Sequence, residues 1–238
     1  MGLLFEPFLL FVILFLPGVF GRTALSGEIP EFMVRPAQVR EIPPEPAAER
    51  AQKAEISGAA FSSWRELDRI LAYNLPALAL IWYLLLREAK NRKRIPRVSR
   101  RDLWSVLAAL PALLLTALSV SLAASLFNTI PAGVPRPPAR ISAWIIILLS
   151  CLSTGYLEES FFRYYLYKKL TLFGLDAPRF ILVSTVLFSF CHIYEGPWGV
   201  MNACFAGLIL ALIFTRFRAL HGLALAHGLY NLLVYIAV

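Results

Sequence analysis

The chain has 238 residues, 58% of them hydrophobic and only 16% charged, with 23 basic and 15 acidic side chains and a mean hydropathy of +0.66. This composition excludes an ordinary soluble domain and defines an integral membrane protein. The apolar residues fall in blocks of roughly 17 to 25, the length a helix needs to cross the hydrocarbon, and without the alternation of barrel strands. The net charge of +8 does not point to nucleic acid, because the basic residues concentrate in short loops beside apolar blocks, where they set topology. Cys151, Cys191 and Cys204 are odd in number, lack CxxC spacing and sit in apolar segments, so they are expected as small buried hydrophobes.

In chain order, residues 1–20 hold the first apolar block, "LLFEPFLLFVILFLPGVF". It lacks a basic leader and carries Glu6, so a retained helix is expected, with an uncleaved signal anchor as the alternative. Residues 21–65, rich in Pro, Glu and Ala, read as an extracytoplasmic loop or short surface helix. Residues 66–140 contain two spans, Ile70–Leu86 and Leu103–Phe127, joined by "REAKNRKRIPRVSRR", which holds eight Lys or Arg residues and belongs in the cytoplasm. Residues 141–238 form the last unit. Its first span starts at Ile141 and runs to about Leu170, followed by Phe180–Tyr194, Trp198–Phe214 and Leu223–Ile236.

The expected architecture is therefore an all-α bundle of about seven transmembrane spans, with the N-terminus cytoplasmic and the C-terminus extracytoplasmic, in the cell membrane. The inside loops at 87–101, 159–179 and 215–222 carry 8, 4 and 2 basic residues, against 2 and 0 in the short outside loops; the long first loop, counted up to Arg69, carries 7.

Ionisable residues in spanning helices cost about 2.5–3.5 kcal/mol each on insertion scales, so each needs a partner or a function. Here they cluster late: Glu158, Glu159 and Arg163 on the fourth span, His192 on the fifth, and His227 with Asn231 on the seventh. Glu159 and Arg163 are i and i+4, in the favourable order for an ion pair. Glu158 points about 100° away from Glu159 and is left free for chemistry. Phe188 stands one turn before His192, and Asn231 one turn after His227. The fifth span is short, so the turn "EGP" at 195–197 is expected to be recessed within the membrane. A polar cavity formed by the last four spans and entered from the cytoplasmic side would bring the three depths together.

These residues resemble the CPBP intramembrane proteases, the family of the CAAX prenyl endopeptidases and of bacteriocin-processing or immunity proteins. Its motifs EExxxR, FxxxH and HxxxN stand here as "EESFFR", "FSFCH" and "HGLYN", in order and on separate spans. The resemblance covers residues 141–236 and not the first hundred. It implies an active site of Glu158, His192, His227 and Asn231, supported by Glu159, Arg163 and Phe188, that hydrolyses peptide bonds in or near the membrane. Glu158 is then the general base, His192 orients the water, and His227 with Asn231 polarises the carbonyl. No cofactor is favoured. In the second mechanism Glu158, His192 and His227 hold Zn²⁺, but no HExxH is present and no free carboxylate would remain as base. The expected partners are the lipid bilayer and a membrane-associated, prenylated or leader-type peptide substrate. A non-enzymatic scaffold or immunity factor that keeps the fold is the alternative, and a proton-coupled carrier is disfavoured because no internal repeat is present.

Overall fold

A computed structural model of the chain describes residues 2–25, 63–88, 96–127 and 141–237. Among these residues all regular structure is helical, in seven helices: α1 (Gly2–Leu25), α2 (63–88), α3 (Arg100–Leu126), α4 (Ile141–Leu172), α5 (Ala177–Phe190), α6 (Gly196–Phe217) and α7 (Leu220–Ala237). Four of them, α2, α3, α4 and α6, are long and apolar enough to cross a membrane. The chain is thus a multi-pass helical membrane protein. The apolar parts of α1, α5 and α7 are shorter, Phe5–Pro17, Ala177–Phe190 and Leu220–Ile236.

Several boundaries differ from the expectation, and α5 ends at Phe190 rather than Tyr194, which leaves His192 in the turn beyond it. α1 continues beyond residue 20 to Leu25, and α2 begins at Ser63 rather than Ile70, inside the stretch expected as a loop. The physical reason for the early start of α2 lies in Glu66, which is buried because its Oε2 accepts a 2.6 Å hydrogen bond from Ser150 on α4. A polar turn thereby joins the bundle as helix. The rest of the 21–65 segment (26–62), residues 89–95 of the basic loop and the 128–140 connection lie outside the described residues.

The helix ends carry ordinary stop and start signals. Asp176 caps α5 by accepting from the backbone N–H of Arg179 at 3.1 Å, with Pro178 in the first turn. Asp102, in the first turn of α3, accepts from the Ser99 N–H at 2.8 Å and from its hydroxyl at 3.1 Å. Its other oxygen accepts from the Gly222 N–H of α7 at 2.8 Å, which ties the start of α3 to the start of α7. Gly196, with φ of 77°, makes the turn between α5 and α6 in a region that L side chains rarely adopt.

α7 packs along α4 and α3, and α6 along α5 and α3. Lipid tails compete with apolar side chains, so close helix contact in a membrane depends on small residues. A Cβ on Gly155 of α4 would stand 2.7 Å from the Ala224 carbonyl oxygen and 2.8 Å from the Gly228 nitrogen of α7. A Cβ on Gly228 would stand 2.9 Å from Leu152 Cα. The two backbones therefore meet at a glycine contact one turn from Glu158, Glu159 and His227.

α1, α3, α5 and α7 run in one sense and α2, α4 and α6 in the other. At one end Lys168 reaches the Leu85 carbonyl (3.5 Å), Lys169 pairs with Glu6 (3.0 Å), and His221 contacts the Pro96 carbonyl (3.2 Å). This basic end also carries Arg87, Arg97, Arg100, Arg101, Arg216 and Arg218. His221 is thus part of the packing at that end, with its ring 6.1 Å from Tyr156.

Candidate active site

The site is built on a locally widened stretch of α4. Residues Ser160–Tyr165 form a π-helical segment directly after the glutamate pair, and a second one, Arg69–Asn74, lies in α2. Such turns are frequent at functional sites. The Phe162 carbonyl within the first accepts a 3.0 Å hydrogen bond from Ser184 of α5.

Glu159 and Arg163 are both fully buried and stand 3.2 Å apart, as the i,i+4 spacing indicates. Arg163 also donates from Nη2 to the Gly207 carbonyl of α6 at 3.2 Å, and its guanidinium carbon lies 4.5 Å from the centre of the Phe188 ring. A buried charge needs such compensation on several sides. Phe188 does more than fill space: its carbonyl is 2.9 Å from His192 Nδ1, and its ring lies 4.7 Å from the His192 ring and 5.8 Å from that of His227.

Sequence spacing did not reveal the contact that joins α7 to the glutamates. His227 Nδ1 lies 2.9 Å from Glu159 Oε1, and its Nε2 lies 3.6 Å from Glu158 Oε2. The imidazole therefore bridges the pair, with one glutamate on each nitrogen. Both histidines have their Nδ1 on an oxygen that only accepts, a carboxylate for His227 and a backbone carbonyl for His192. Each Nδ1 therefore carries the proton, and each Nε2 is available for other work.

Glu158, His192, His227 and Asn231 all line one cavity of about 590 Å³, so the four positions named from the sequence are brought together. Its other walls correct the expectation that the last four helices enclose it. α1 contributes Phe15 and Pro17, and α2 contributes Glu66, Arg69, Tyr73 and Asn74, whereas α6 supplies no wall residue beyond its preceding Glu195. The α2 wall is held by polar bonds: Glu66 to Ser150 and to Arg69 (3.2 Å), and Asn74 to the hydroxyls of Ser153 (2.8 Å) and Thr154 (3.0 Å). The buried polar residues Glu66 and Asn74 were missed; a glutamate and an asparagine four residues to either side of Ile70, at the start of a span, were the available signal.

α5 has 14 residues and covers about 21 Å, less than the roughly 30 Å of hydrocarbon. It starts at the basic end, so the recessed turn after it leaves its gap at the far end. Toward the basic end the cavity is closed by Phe161, Phe162, Arg163, Tyr165 and Phe188, each 2% exposed or less.

The donor chemistry of a metal site is partly present, since both histidines have Nδ1 anchored and Nε2 available. Glu158, His192 and His227 do not converge as three ligands, however: among the described residues no group of three His, Cys, Asp or Glu side chains is placed to hold a metal ion. The residues as arranged do not fit that set.

The structure thus places a buried carboxylate and imidazole pair beside a polar cavity within a helical membrane protein. Residues 140–233 match the family model described as type II CAAX prenyl endopeptidase Rce1-like. The matched segment contains every motif residue from Glu158 to Asn231. Comparison with curated proteins and with solved structures finds no match.

Proposed function

We propose that the protein is an intramembrane endopeptidase that hydrolyses a peptide bond of a membrane-associated substrate by glutamate-activated water, without routing the reaction through a metal. The observation that carries this reading is the double contact of His227 with Glu159 and Glu158 at 2.9 and 3.6 Å, on a cavity that also presents His192 and Asn231.

Glu158 takes a proton from water as the water oxygen attacks the amide carbonyl carbon. The lone pair on His192 Nε2 accepts from the second water hydrogen and orients the water. Charge on the former carbonyl oxygen is met by the Asn231 amide, while the His227 Nδ1–H stays on Glu159 and holds the imidazole in place beside it. The C–N bond then breaks as Glu158 returns its proton to the leaving amine. Glu159 and Arg163 act through His227 and Phe188, so they are positioning residues. Basic residues at one end support a topology with that end in the cytoplasm, the N-terminus inside and the C-terminus outside.

The test is cleavage of a membrane peptide library by purified wild-type protein and by Glu158→Gln, each with and without chelator. Cleavage by wild type alone, unaffected by chelation, is expected. Absence of cleavage by wild type refutes the peptidase reading, and loss on chelation with recovery on adding Zn²⁺ refutes the metal-free mechanism.

A further inference from the structure

We infer that a second pocket, between the C-terminal ends of α4 and α6, binds the phosphate of an anionic lipid headgroup, with the Arg218 guanidinium as its principal donor. The pocket has a volume of about 330 Å³ and is lined by Tyr164, Tyr167, Lys168, Thr171, Phe214 and Arg218. It shares no residue with the cavity of Glu158, and its wall carries two cations and no carboxylate.

The backbone singles out Arg218. It ends α6 with φ of 55° and ψ of 35°, and among the described residues no other non-glycine has a positive φ. A Cβ disfavours this conformation, which glycine or asparagine ordinarily supplies past a helix end. The Arg218 N–H closes the helix on the Phe214 carbonyl at 2.8 Å, a bond that glycine would make at less strain. Capping therefore does not account for the arginine, whereas its side chain does.

That side chain is held in one pose. Nε donates to the Thr215 carbonyl at 3.2 Å, and the guanidinium carbon lies 3.7 Å from the centre of the Tyr167 ring and 5.7 Å from that of Phe214. Tyr167 is itself fixed, edge-on to Phe180 at 5.0 Å and to Phe214 at 5.6 Å. Among the described residues neither Nη of Arg218 has a hydrogen-bond or carboxylate partner. A planar fork stacked on an aromatic ring and anchored through Nε keeps its two Nη groups side by side, which matches two oxygens of one phosphate. Little side-chain freedom is then lost on binding.

Helix C-termini expose carbonyls that repel an anion. Here they are answered from within the chain. Arg218 takes up the Phe214 and Thr215 carbonyls of α6, and at the end of α4 the N–H groups of Phe173, Leu175 and Gly174 donate to Leu170 (3.0 and 3.1 Å) and Thr171 (3.1 Å).

Phosphate could reach this pocket as a free ion or as part of a lipid, and the position favours the lipid. α4 runs 32 residues, Ile141–Leu172, about 48 Å of helix against roughly 30 Å of hydrocarbon, so its last turns stand among the headgroups. Tyr164 carries the aromatic wall on to Trp82 of α2, with 6.0 Å between the rings, a surface against which an acyl chain can lie. Basic pockets between spanning helices hold phosphate headgroups in this manner.

The test uses the full chain purified in detergent and titrated with dioleoyl phosphatidylglycerol or dioleoyl phosphatidylcholine, the bound lipids being counted by native mass spectrometry. One phosphatidylglycerol bound in preference to phosphatidylcholine is expected. Arg218→Gly suits the left-handed turn and should weaken that first binding step by at least about tenfold, as loss of a charge-assisted hydrogen-bonded fork requires. Arg218→Gln takes its place should the glycine variant fail to fold. Arg216→Gln removes an equal charge two residues away and should leave the affinity unchanged. Equal binding of the two lipids, or equal weakening by the Arg216 and Arg218 variants, overturns the inference. Inorganic phosphate serves as competitor: displacement of the lipid only in large excess upholds the lipid as ligand, and binding as tight as that of phosphatidylglycerol overturns it in favour of a free anion.

Discussion

Replacing Glu159 with Gln keeps the shape of the side chain and removes its charge. Arg163 is left fully buried, with the Gly207 carbonyl and the Phe188 ring as its remaining partners, and the His227 Nδ1–H faces an amide in place of a carboxylate. Breaking a buried ion pair by removing one member costs about 3–5 kcal/mol. At about 2–4 °C per kcal/mol for a chain of this size, the expected fall in Tm is roughly 6–20 °C. The assay is thermal unfolding of the purified protein in one detergent, with Glu158→Gln as the comparison, because Glu158 has no contact with Arg163 of this kind. The double variant Glu159→Gln with Arg163→Met removes both charges and should regain much of the loss, giving a coupling energy in the range known for neighbouring groups, about 0.5–3 kcal/mol. A Glu159→Gln protein as stable as wild type, or a double variant that loses the sum of the single losses, would show that the buried pair is not what holds α4, α6 and α7 in register.

Glu158→Gln should abolish peptide cleavage, by about 10²–10⁴-fold for a general base, while melting within a few degrees of wild type. Gly155→Val places side-chain atoms against Ala224 and Gly228, where a Cβ alone stands at 2.7 Å, so α4 and α7 must part. That overpacking costs about 1–3 kcal/mol, and kcat should fall as His227 leaves the glutamates, a split visible by comparing activity per folded molecule. Asp102→Ala, at the basic end, removes the acceptor for Ser99 and Gly222 and should lower stability by about 1–3 kcal/mol with kcat unchanged. An altered kcat in that variant would mean that the start of α7 is coupled to the site.

Much of the molecule is decided by local rules that operate within one helix. Hydrophobic block length establishes a helical membrane protein, and the i,i+4 spacing places Glu159 on Arg163 whatever surrounds them, because 3.6 residues per turn brings those positions together. The same rule turns Glu158 aside and aligns His227 with Asn231, whereas His192 stands in the turn past the end of α5. The three motifs that carry the family likeness are each local in this sense, which is why they are legible one after another along the chain. The short fifth span even announces its recessed turn.

What crosses between helices depends on packing. The His227–Glu159 bond spans 68 residues and the Ser150–Glu66 bond 84. Neither follows from a period, because each requires two backbones to approach at a particular height, set in the first case by Gly155 against Gly228. The tertiary structure thus added α1 and α2 to the walls of the cavity and put Glu66, Arg69 and Asn74 opposite Glu158. Composition can say that charge sits deep in the bundle, but only the approach of α7 to α4 puts one imidazole between the two carboxylates, because a 2.9 Å contact requires both helices to present those residues at one height.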